Sequence, residues 1–222
     1  LVGCCQHKPN AIYRVGVSQC SDDAWRKKMN EEMKQELIFH PNLQLSIRHS
    51  NDNSELQCAQ IDSFITEQVD LLIICPNEAE EVKPAVSRAY DAGIPVIIAD
   101  RQVTGEKYTA FIGGDNYAVG QHMASWLIQQ ATLNHSTAKQ PLYVIEIMGL
   151  QGSTPCVWRH KGLIDGLQNQ SNIRLLGSGN ANWLAAPARV VADSLLRLYP
   201  QTNAIVAQND IMAMAAAEVA EK

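Results

Sequence analysis

Polar and aromatic side chains follow nearly every predicted β-strand of this 222-residue chain. Ligands of parallel α/β sheets bind beyond the carboxyl ends of the strands, so these short segments are where chemistry is expected. A small-molecule pocket is usually apolar with a few polar groups, and these segments offer unusually many polar groups. They predict a small-ligand site rich in hydrogen-bonding groups. The segments are Gln19–Asp23, Pro76–Glu78, Asp100-Arg101, Gly149–Pro155, Gly179–Trp183 and Asn209-Asp210.

Motifs for catalysis, cofactor binding and metal binding are missing from the sequence. No GxGxxG or GxxxxGK[ST] motif follows a strand, and no GxSxG nucleophile elbow occurs. The six cysteines form no CxxC pair, and the six histidines form no HxxxH or HExxH motif. We therefore expect no catalytic activity, no cofactor and no metal in this chain. We expect mostly free thiols, although a Cys20–Cys58 disulfide stays open.

Composition favours a globular protein without a nucleic-acid partner. Hydrophobic residues make up 46%, charged residues 18%, and the formal net charge is −5, whereas nucleic acids and anionic membranes require clustered Lys and Arg. The tight basic group Arg26-Lys27-Lys28 lies among acidic residues, so we interpret it as the solvated face of a helix. The longest apolar run, Leu71–Cys75, is far below the roughly 18 residues that span a bilayer and fits a buried strand.

The first residues point to a location outside the cytoplasm. Leu1-Val2-Gly3-Cys4 resembles the end of a bacterial lipoprotein signal, in which a small residue precedes a lipidated cysteine. A chance match and the end of an uncleaved anchor are the alternatives. We interpret residues 1–11 as an N-terminal tail and predict a periplasmic protein, tethered to a membrane by an anchor outside its folded part.

Short apolar strands alternate with amphipathic helices along the whole chain. In the first helix, apolar residues recur every fourth position from Trp25 to Leu37, and Asp22 or Asp23 can cap its start. The alternation is typical of parallel sheets with helices on both faces, and it restarts near Gly113-Gly114-Asp115. We predict two doubly wound α/β lobes, residues 12–114 and 115–222, whose loops face one cleft. The predicted strands are 12–18, 43–47, 71–74, 94–99, 142–148, 173–176 and 204–207.

Three segments of the sequence resemble a known family in order and spacing. They are Gly93–Arg101 (GIPVIIADR), Gly113–Asn116 (GGDN) and Ala207–Asp210 (AQND) followed by Met212-Ala213. Together they are similar to the ribose-binding-protein branch of type I periplasmic binding proteins, which shares its fold with the effector domains of LacI-type repressors. The opening segment Val15–Arg26 (VGVSQCSDDAWR) resembles, more narrowly, the periplasmic sensor domains of hybrid two-component histidine kinases from Bacteroidetes.

The resemblance implies which side chains contact a sugar. Planar carboxylates, amides and guanidinium groups bind vicinal hydroxyls in pairs, and indole rings lie against the C–H face of a sugar. Where sugar binders of this branch often carry Asn, this chain has Cys75, so Asn77 is expected to take over that contact and ribose itself is in doubt. The expected ligand-binding residues are Asp22, Trp25, Asn77, Asp100, Arg101, Arg159, Trp183 and Asn209.

Each assignment has a structural alternative. Asp22 and Asn209 stand where helix caps would, and one residue can do both jobs. Trp25 can belong to the apolar stripe of its helix, and Asp100 with Arg101 can form an ion pair that never touches ligand.

The function implied by the resemblance is sensing of a small sugar by a hybrid histidine kinase, with a homodimer formed through the parent receptor. The alternative is a free or lipid-anchored binding protein of an ABC sugar importer. A repressor would need a basic helix-turn-helix before Ile12, where only a short tail stands. The family fold continues with further strands beyond Lys222, so the resemblance implies a fragment that lacks its C-terminal strands.

Overall fold

Two compact units make up the protein, and the division between them falls after Gly113. The computed structural model describes residues 11–221, so the Leu1–Cys4 motif lies outside the described residues. Each unit contains one sheet of parallel strands, which confirms the predicted α/β class with two parallel sheets. Within residues 11–221, no helix combines the length and the apolar character needed to cross a membrane.

The first unit is built on five parallel strands in the order β2-β1-β3-β4-β5. Its core lies on α2 and the central strands, where Phe64, Leu72 and Ile98 are fully buried. The fifth strand has only three residues, too few for a period-2 pattern to show, and the sequence did not predict it. The elements are β1 (Tyr13–Gln19), α1 (Ala24–Glu36), β2 (Leu43–His49), α2 (Ser54–Thr66), β3 (Leu71–Cys75), α3 (Ala79–Asp91), β4 (Val96–Ala99) and β5 (Ala110–Ile112).

Helix α1 buries polar side chains rather than its apolar stripe. Its two buried residues are Arg26 and Asn30, while Trp25 is 55% exposed. Asn30 Oδ1 accepts a hydrogen bond of 2.6 Å from Gln19 Nε2 in β1. The prediction that Arg26 lies on the solvated face of the helix is therefore wrong. It holds for Lys27 and Lys28, which are exposed.

Two helices of the first unit end at residues with positive φ. Gly93, at φ 81°, follows α3, as expected for a residue without a side chain. Gln68, at φ 53°, follows α2, which ends at Thr66. The apolar spacing from Cys58 to Val69 predicts a second helix that extends to Val69, and the left-handed turn at Gln68 is the reason that α2 stops earlier.

The second unit is built on three parallel strands in the order β7-β6-β8. Strand β6 is central, and all but one of its residues are buried. Strands β6 and β8 have the predicted bounds, whereas β7 continues beyond its predicted end to Asn180. The elements are α4 (Asn116–Leu133), β6 (Leu142–Met148), α5 (Thr154–Leu167), β7 (Ile173–Asn180), α6 (Ala185–Leu198), β8 (Ala204–Ala207) and α7 (Asp210–Ala220).

Helices α4 and α5 touch through their backbones at two glycines. A Cβ atom on Gly120 would lie 2.1 Å from the carbonyl oxygen of Arg159, and one on Gly162 would lie 2.2 Å from that of Tyr117. Since no side chain fits between the two helices, α5 is held at a fixed distance from α4. This contact sets the position of the Arg159 backbone.

Candidate ligand-binding site

A buried ion pair joins α1 to the end of β4 in the first unit. The Arg26 side chain is 3% exposed, and its Nη2 donates to Asp100 Oδ2 over 2.5 Å. Asp100 adopts a left-handed backbone conformation, φ 64°, which turns the chain directly after β4. Among residues 11–221, the Nε and Nη1 atoms of Arg26 have no hydrogen-bond partner. The buried guanidinium of Arg26 therefore has two N–H donor atoms, Nε and Nη1, available to a partner outside residues 11–221.

The surroundings keep this pair charged. Burial opposes the charge on the Arg26 guanidinium, but the charge and hydrogen bond of Asp100 help to raise its pKa above the ordinary value. Burial also raises the pKa of the Cys75 thiol to about 12, so this thiol is neutral and unreactive at pH 7. Buried donors are nearly always paired in proteins, and an oxygen-rich ligand would supply the acceptors that Arg26 lacks.

Arg101 is held by Asn77. Arg101 is 5% exposed, and its Nη1 donates to the carbonyl oxygen of Asn77 over 2.9 Å and approaches Oδ1 at 3.4 Å. The Nδ2 of Asn77 donates to Asp52 O (3.2 Å) and Ser54 Oγ (3.0 Å). The amide is thus committed to protein partners, and Asn77 orients Arg101. The Arg101 Nε–Asp100 Oδ2 distance is 3.9 Å, longer than a hydrogen bond.

Trp25 lies at the exposed edge of the group formed by Arg26, Asp100, Arg101 and Asn77, whereas the contacts of Asp22 are with Lys27 and His49. The Trp25 ring stacks with the Arg26 guanidinium, whose Cζ lies 4.6 Å from the ring centroid. Because Trp25 is more than half exposed, it does not belong to a buried apolar stripe. Asp22 lies 3.3 Å from Lys27 Nζ and 3.5 Å from His49 Nδ1. The helix cap is Asp23, whose carboxylate accepts from the backbone N–H of Arg26.

The second unit brings Arg159, Trp183 and Asn209 together. Arg159 donates through Nε to Asn116 Oδ1 (2.9 Å) and through Nη1 to the carbonyl oxygen of Gln208. Its Cζ lies 5.5 Å from the Trp183 ring centroid. Asn209 caps α7 by accepting from Met212 N (2.9 Å), and its Nδ2 donates to Trp183 O (3.2 Å). Arg159 from helix α5, Trp183 from the loop after β7 and Asn209 from the start of α7 thus form one cluster.

The loop that carries Trp183 is strained. Asn182 and Trp183 have φ values of 53° and 68°, and a bulky residue rarely adopts this conformation. Such strain costs about 1–3 kcal/mol per residue and is concentrated at functional sites. The indole lies against Gly149, where a Cβ atom would be 2.2 Å from the ring. Gly149 leaves room for the ring, so the position of Trp183 depends both on its own loop and on the loop that carries Gly149.

In the described part of the chain, Cys20, Cys58, Cys75 and Cys156 are all free thiols. Residues 11–221 contain no group of three His, Cys, Asp or Glu side chains that could hold a metal ion.

Sequence reasoning missed two residues of these clusters, Arg26 and Gln208. Both stand inside segments that carry the family resemblance, directly beside Trp25 and Asn209. Their neighbourhood was the only available signal. The partner of Arg26 is 74 residues away in the sequence, and the Arg159 that binds Gln208 O is 49 residues away.

Comparisons with known proteins agree on one family. Residues 15–222 match the model of the family described as "Periplasmic binding protein domain". Among solved structures, the fructose-binding periplasmic domain of the hybrid two-component system BT1754 is 39% identical, with a TM-score of 0.88 over 94% of this chain and 67% of that chain.

Curated relatives are more distant in sequence. The galactofuranose-binding protein YtfQ of Escherichia coli K12 is 26% identical over 187 residues, which cover 82% of this chain and 57% of the relative. The ribose import binding protein RbsB of the same strain is 27% identical over 172 residues, covering 78% of this chain and 55% of the relative. The chain thus spans little more than half the length of these relatives.

Proposed function

Since the chain belongs to the periplasmic binding protein domain family, we propose that it binds a small carbohydrate through the Arg26 cluster of the first unit and the Arg159 cluster of the second. One observation carries the proposal. The buried guanidinium of Arg26 keeps two donors without partners among residues 11–221, next to the acceptor Asp100. Each hydroxyl of a sugar both donates and accepts, so vicinal hydroxyls match such a pair of charged planar groups.

The remaining residues have distinct roles in this proposal. Trp25 and Trp183 offer indole faces to the C–H face of the ring. Asn209 has one amide hydrogen left after its bond to Trp183 O, and this hydrogen is a donor for a sugar oxygen. Asn77 acts indirectly, because its amide nitrogen already donates to Asp52 and Ser54 and its carbonyl oxygen holds Arg101. Asp22, half exposed and paired with Lys27, contributes at the edge.

Fructose is the first ligand to test, because the solved domain that is 39% identical binds fructose. A thermal-shift screen with fructose, galactofuranose and ribose measures binding through the rise in melting temperature, which follows mass action. We expect fructose to raise the melting temperature of the wild-type protein and to have little effect on Arg26→Met. Arg88→Met is the matched control, since Arg88 is an exposed arginine of the same unit that pairs with Asp62. A wild-type protein that responds to no sugar would refute the proposal.

We further propose that the chain is the periplasmic sensor domain of a hybrid two-component histidine kinase. The supporting observation is the 39% identity to such a domain, against 26% and 27% for the galactofuranose-binding and ribose import binding proteins. In this account the parent protein is a membrane-tethered homodimer that reports sugar binding to its kinase. The test is transfer of labelled phosphate from ATP to the parent protein in membranes, with and without sugar. Sugar-dependent labelling is expected.

The alternative is the binding protein of an ABC sugar importer. It predicts a parent protein that takes no phosphate from ATP, and cells that lose sugar uptake when its gene is deleted.

A further inference from the structure

Strand β6 carries a fully buried carboxylate, that of Glu146, beneath the loops of the second unit. A buried carboxylate is costly unless hydrogen bonds satisfy its oxygens. Glu146 Oε2 lies 2.7 Å from His160 Nδ1 and accepts from Ser178 Oγ over 3.0 Å. Its Oε1 accepts from Gln208 Nε2 over 2.9 Å. Both oxygens are therefore occupied, one of them by Gln208.

Glu146 fixes the orientation of the Gln208 amide. Gln208 is 2% exposed, and its Nε2 faces two acceptors, Glu146 Oε1 and the carbonyl oxygen of Cys156 at 3.2 Å. Its Oε1 accepts from the backbone N–H of Gly149 over 3.0 Å. A flipped amide would place its oxygen against the carboxylate and its N–H₂ against the N–H of Gly149. Only one orientation of the amide satisfies all three partner groups.

From Gln208 the network reaches the Arg159 cluster by two routes. The carbonyl oxygen of Gln208 accepts from Arg159 Nη1, and the next residue is Asn209. The backbone of Gly149, held by the Gln208 amide, is the surface against which Trp183 lies. The side chains assigned to the sugar in this unit are thus supported by one buried amide, which is oriented by one buried carboxylate.

We propose that Glu146 is a positioning residue for carbohydrate recognition, which acts through Gln208 on Arg159 and on the Gly149–Trp183 contact. The inference rests on the proposed function. Binding groups must be held close to their productive geometry by supporting hydrogen bonds, and a loss of that support weakens binding while leaving the contacting residues present.

The test compares substitutions that remove or restore the orientation of the amide. Glu146→Leu removes the acceptor and leaves the Gln208 amide free to flip. Glu146→Gln keeps an acceptor for Gln208 Nε2, because the new amide can point its oxygen at Gln208. Its NH₂ group then faces the hydroxyl of Ser178 and the ring of His160, and both can accept a hydrogen bond. In titration calorimetry with the sugar that binds the wild type, Glu146→Leu is expected to weaken affinity about tenfold, which is about 1.4 kcal/mol. Glu146→Gln is expected to stay within about threefold of the wild type.

A charge exchange gives a second test if the leucine variant does not fold. Gln208→Glu places two carboxylates face to face, whereas Gln208→Glu combined with Glu146→Gln restores one donor and one acceptor. The amide ¹H–¹⁵N resonance of Gly149 in the sugar-free protein reports the bond to residue 208 directly. It is expected to shift in Gln208→Glu and to return toward the wild-type position in the double variant, together with the affinity.

Asn203→Ala is the matched structural control. Its side chain accepts from Tyr143 N over 2.8 Å near the opposite end of β6. The control is expected to lower the melting temperature without changing affinity. The positioning role is refuted if Glu146→Leu binds sugar as tightly as the wild type. It is also refuted if Asn203→Ala loses as much affinity per degree of lowered melting temperature as Glu146→Leu does. A wild-type protein that binds no sugar would instead refute the proposed function.

Discussion

Replacing Asp100 by asparagine tests the first-unit cluster most selectively. Asp100 has φ 64°, a conformation that asparagine also adopts readily, so the turn after β4 is kept. The substitution removes the negative charge from the 2.5 Å bond to Arg26 and leaves a carbonyl acceptor in its place. Asp100→Ala would remove the charge and also strain the backbone at this φ value, so a measured loss could not be assigned to either cause.

The expected loss follows from burial. Hydrogen bonds to charged groups contribute about 1.5–3 kcal/mol, more than neutral ones. Arg26 is 3% exposed and Asp100 28% exposed, so solvent screens the pair only weakly. Since asparagine still accepts, we expect the free energy of unfolding to fall by about 2 kcal/mol. The carboxylate also accepts from sugar hydroxyls in this account, so affinity is expected to fall about thirtyfold, or about 2 kcal/mol.

Titration calorimetry gives the affinity, and urea denaturation in the absence of sugar gives the stability. Asp62→Asn is the control, because Asp62 pairs with Arg88 in the same unit at 2.7 Å, with both side chains about half exposed. Exposed pairs contribute about 0–1 kcal/mol, so this variant is expected to change stability slightly and affinity not at all. If Asp100→Asn binds sugar within about twofold of the wild type, a change of less than about 0.5 kcal/mol, Asp100 does not contact the ligand.

Three further substitutions test other parts of the account. Arg159→Ala is expected to weaken sugar binding at least about thirtyfold in calorimetry, because the carbonyl oxygen of buried Gln208 loses this donor; unchanged affinity would exclude Arg159 from the site. Gly149→Ala places a Cβ 2.2 Å from the Trp183 indole, so the ring must move and affinity should fall about tenfold with the far-ultraviolet circular dichroism unchanged. Burial raises the pKa of Asp52, and the nearby charge of Arg101 offsets part of this rise. The ionised Asp52 carboxylate therefore disfavours folding at pH 7. Asp52→Asn should therefore raise the melting temperature at pH 7 and have no effect below the ordinary pKa of 3.8, and a difference that persists at low pH would contradict this cause.

Sequence patterns predicted the elements well where the signal is local. The apolar run Leu71–Cys75 became a buried strand, and β6 and β8 have the predicted bounds, because hydrophobic periodicity reports directly on burial. Local turn chemistry was harder to place. Asp22 and Asp23 are equally good caps by type, and the backbone geometry selects Asp23. The left-handed turn at Gln68 has no signal in its residue type, so the end of α2 was placed too late.

The polar clusters were only partly predictable because their partners are distant in sequence. The four-residue spacing from Trp25 to Leu37 indicated an apolar buried stripe, yet α1 turns Arg26 and Asn30 inward. Asn30 meets Gln19 there, and Arg26 meets Asp100 at a separation of 74 residues. Glu146 likewise sits inside an apolar strand pattern, and only the fold shows that Gln208, 62 residues later, donates a hydrogen bond to its carboxylate. Periodicity measures how a helix or strand is exposed, not which polar group it meets.

In the proposed complex, one sugar takes up the donors that Arg26 keeps free of partners among residues 11–221. A crystal structure of the protein with the sugar that gives the largest thermal shift tests it most directly. We expect sugar oxygens about 2.7–3.2 Å from Nε or Nη1 of Arg26, and the C–H face of the ring against a tryptophan. A sugar bound elsewhere, with the Arg26 guanidinium satisfied by protein or water alone, would contradict it.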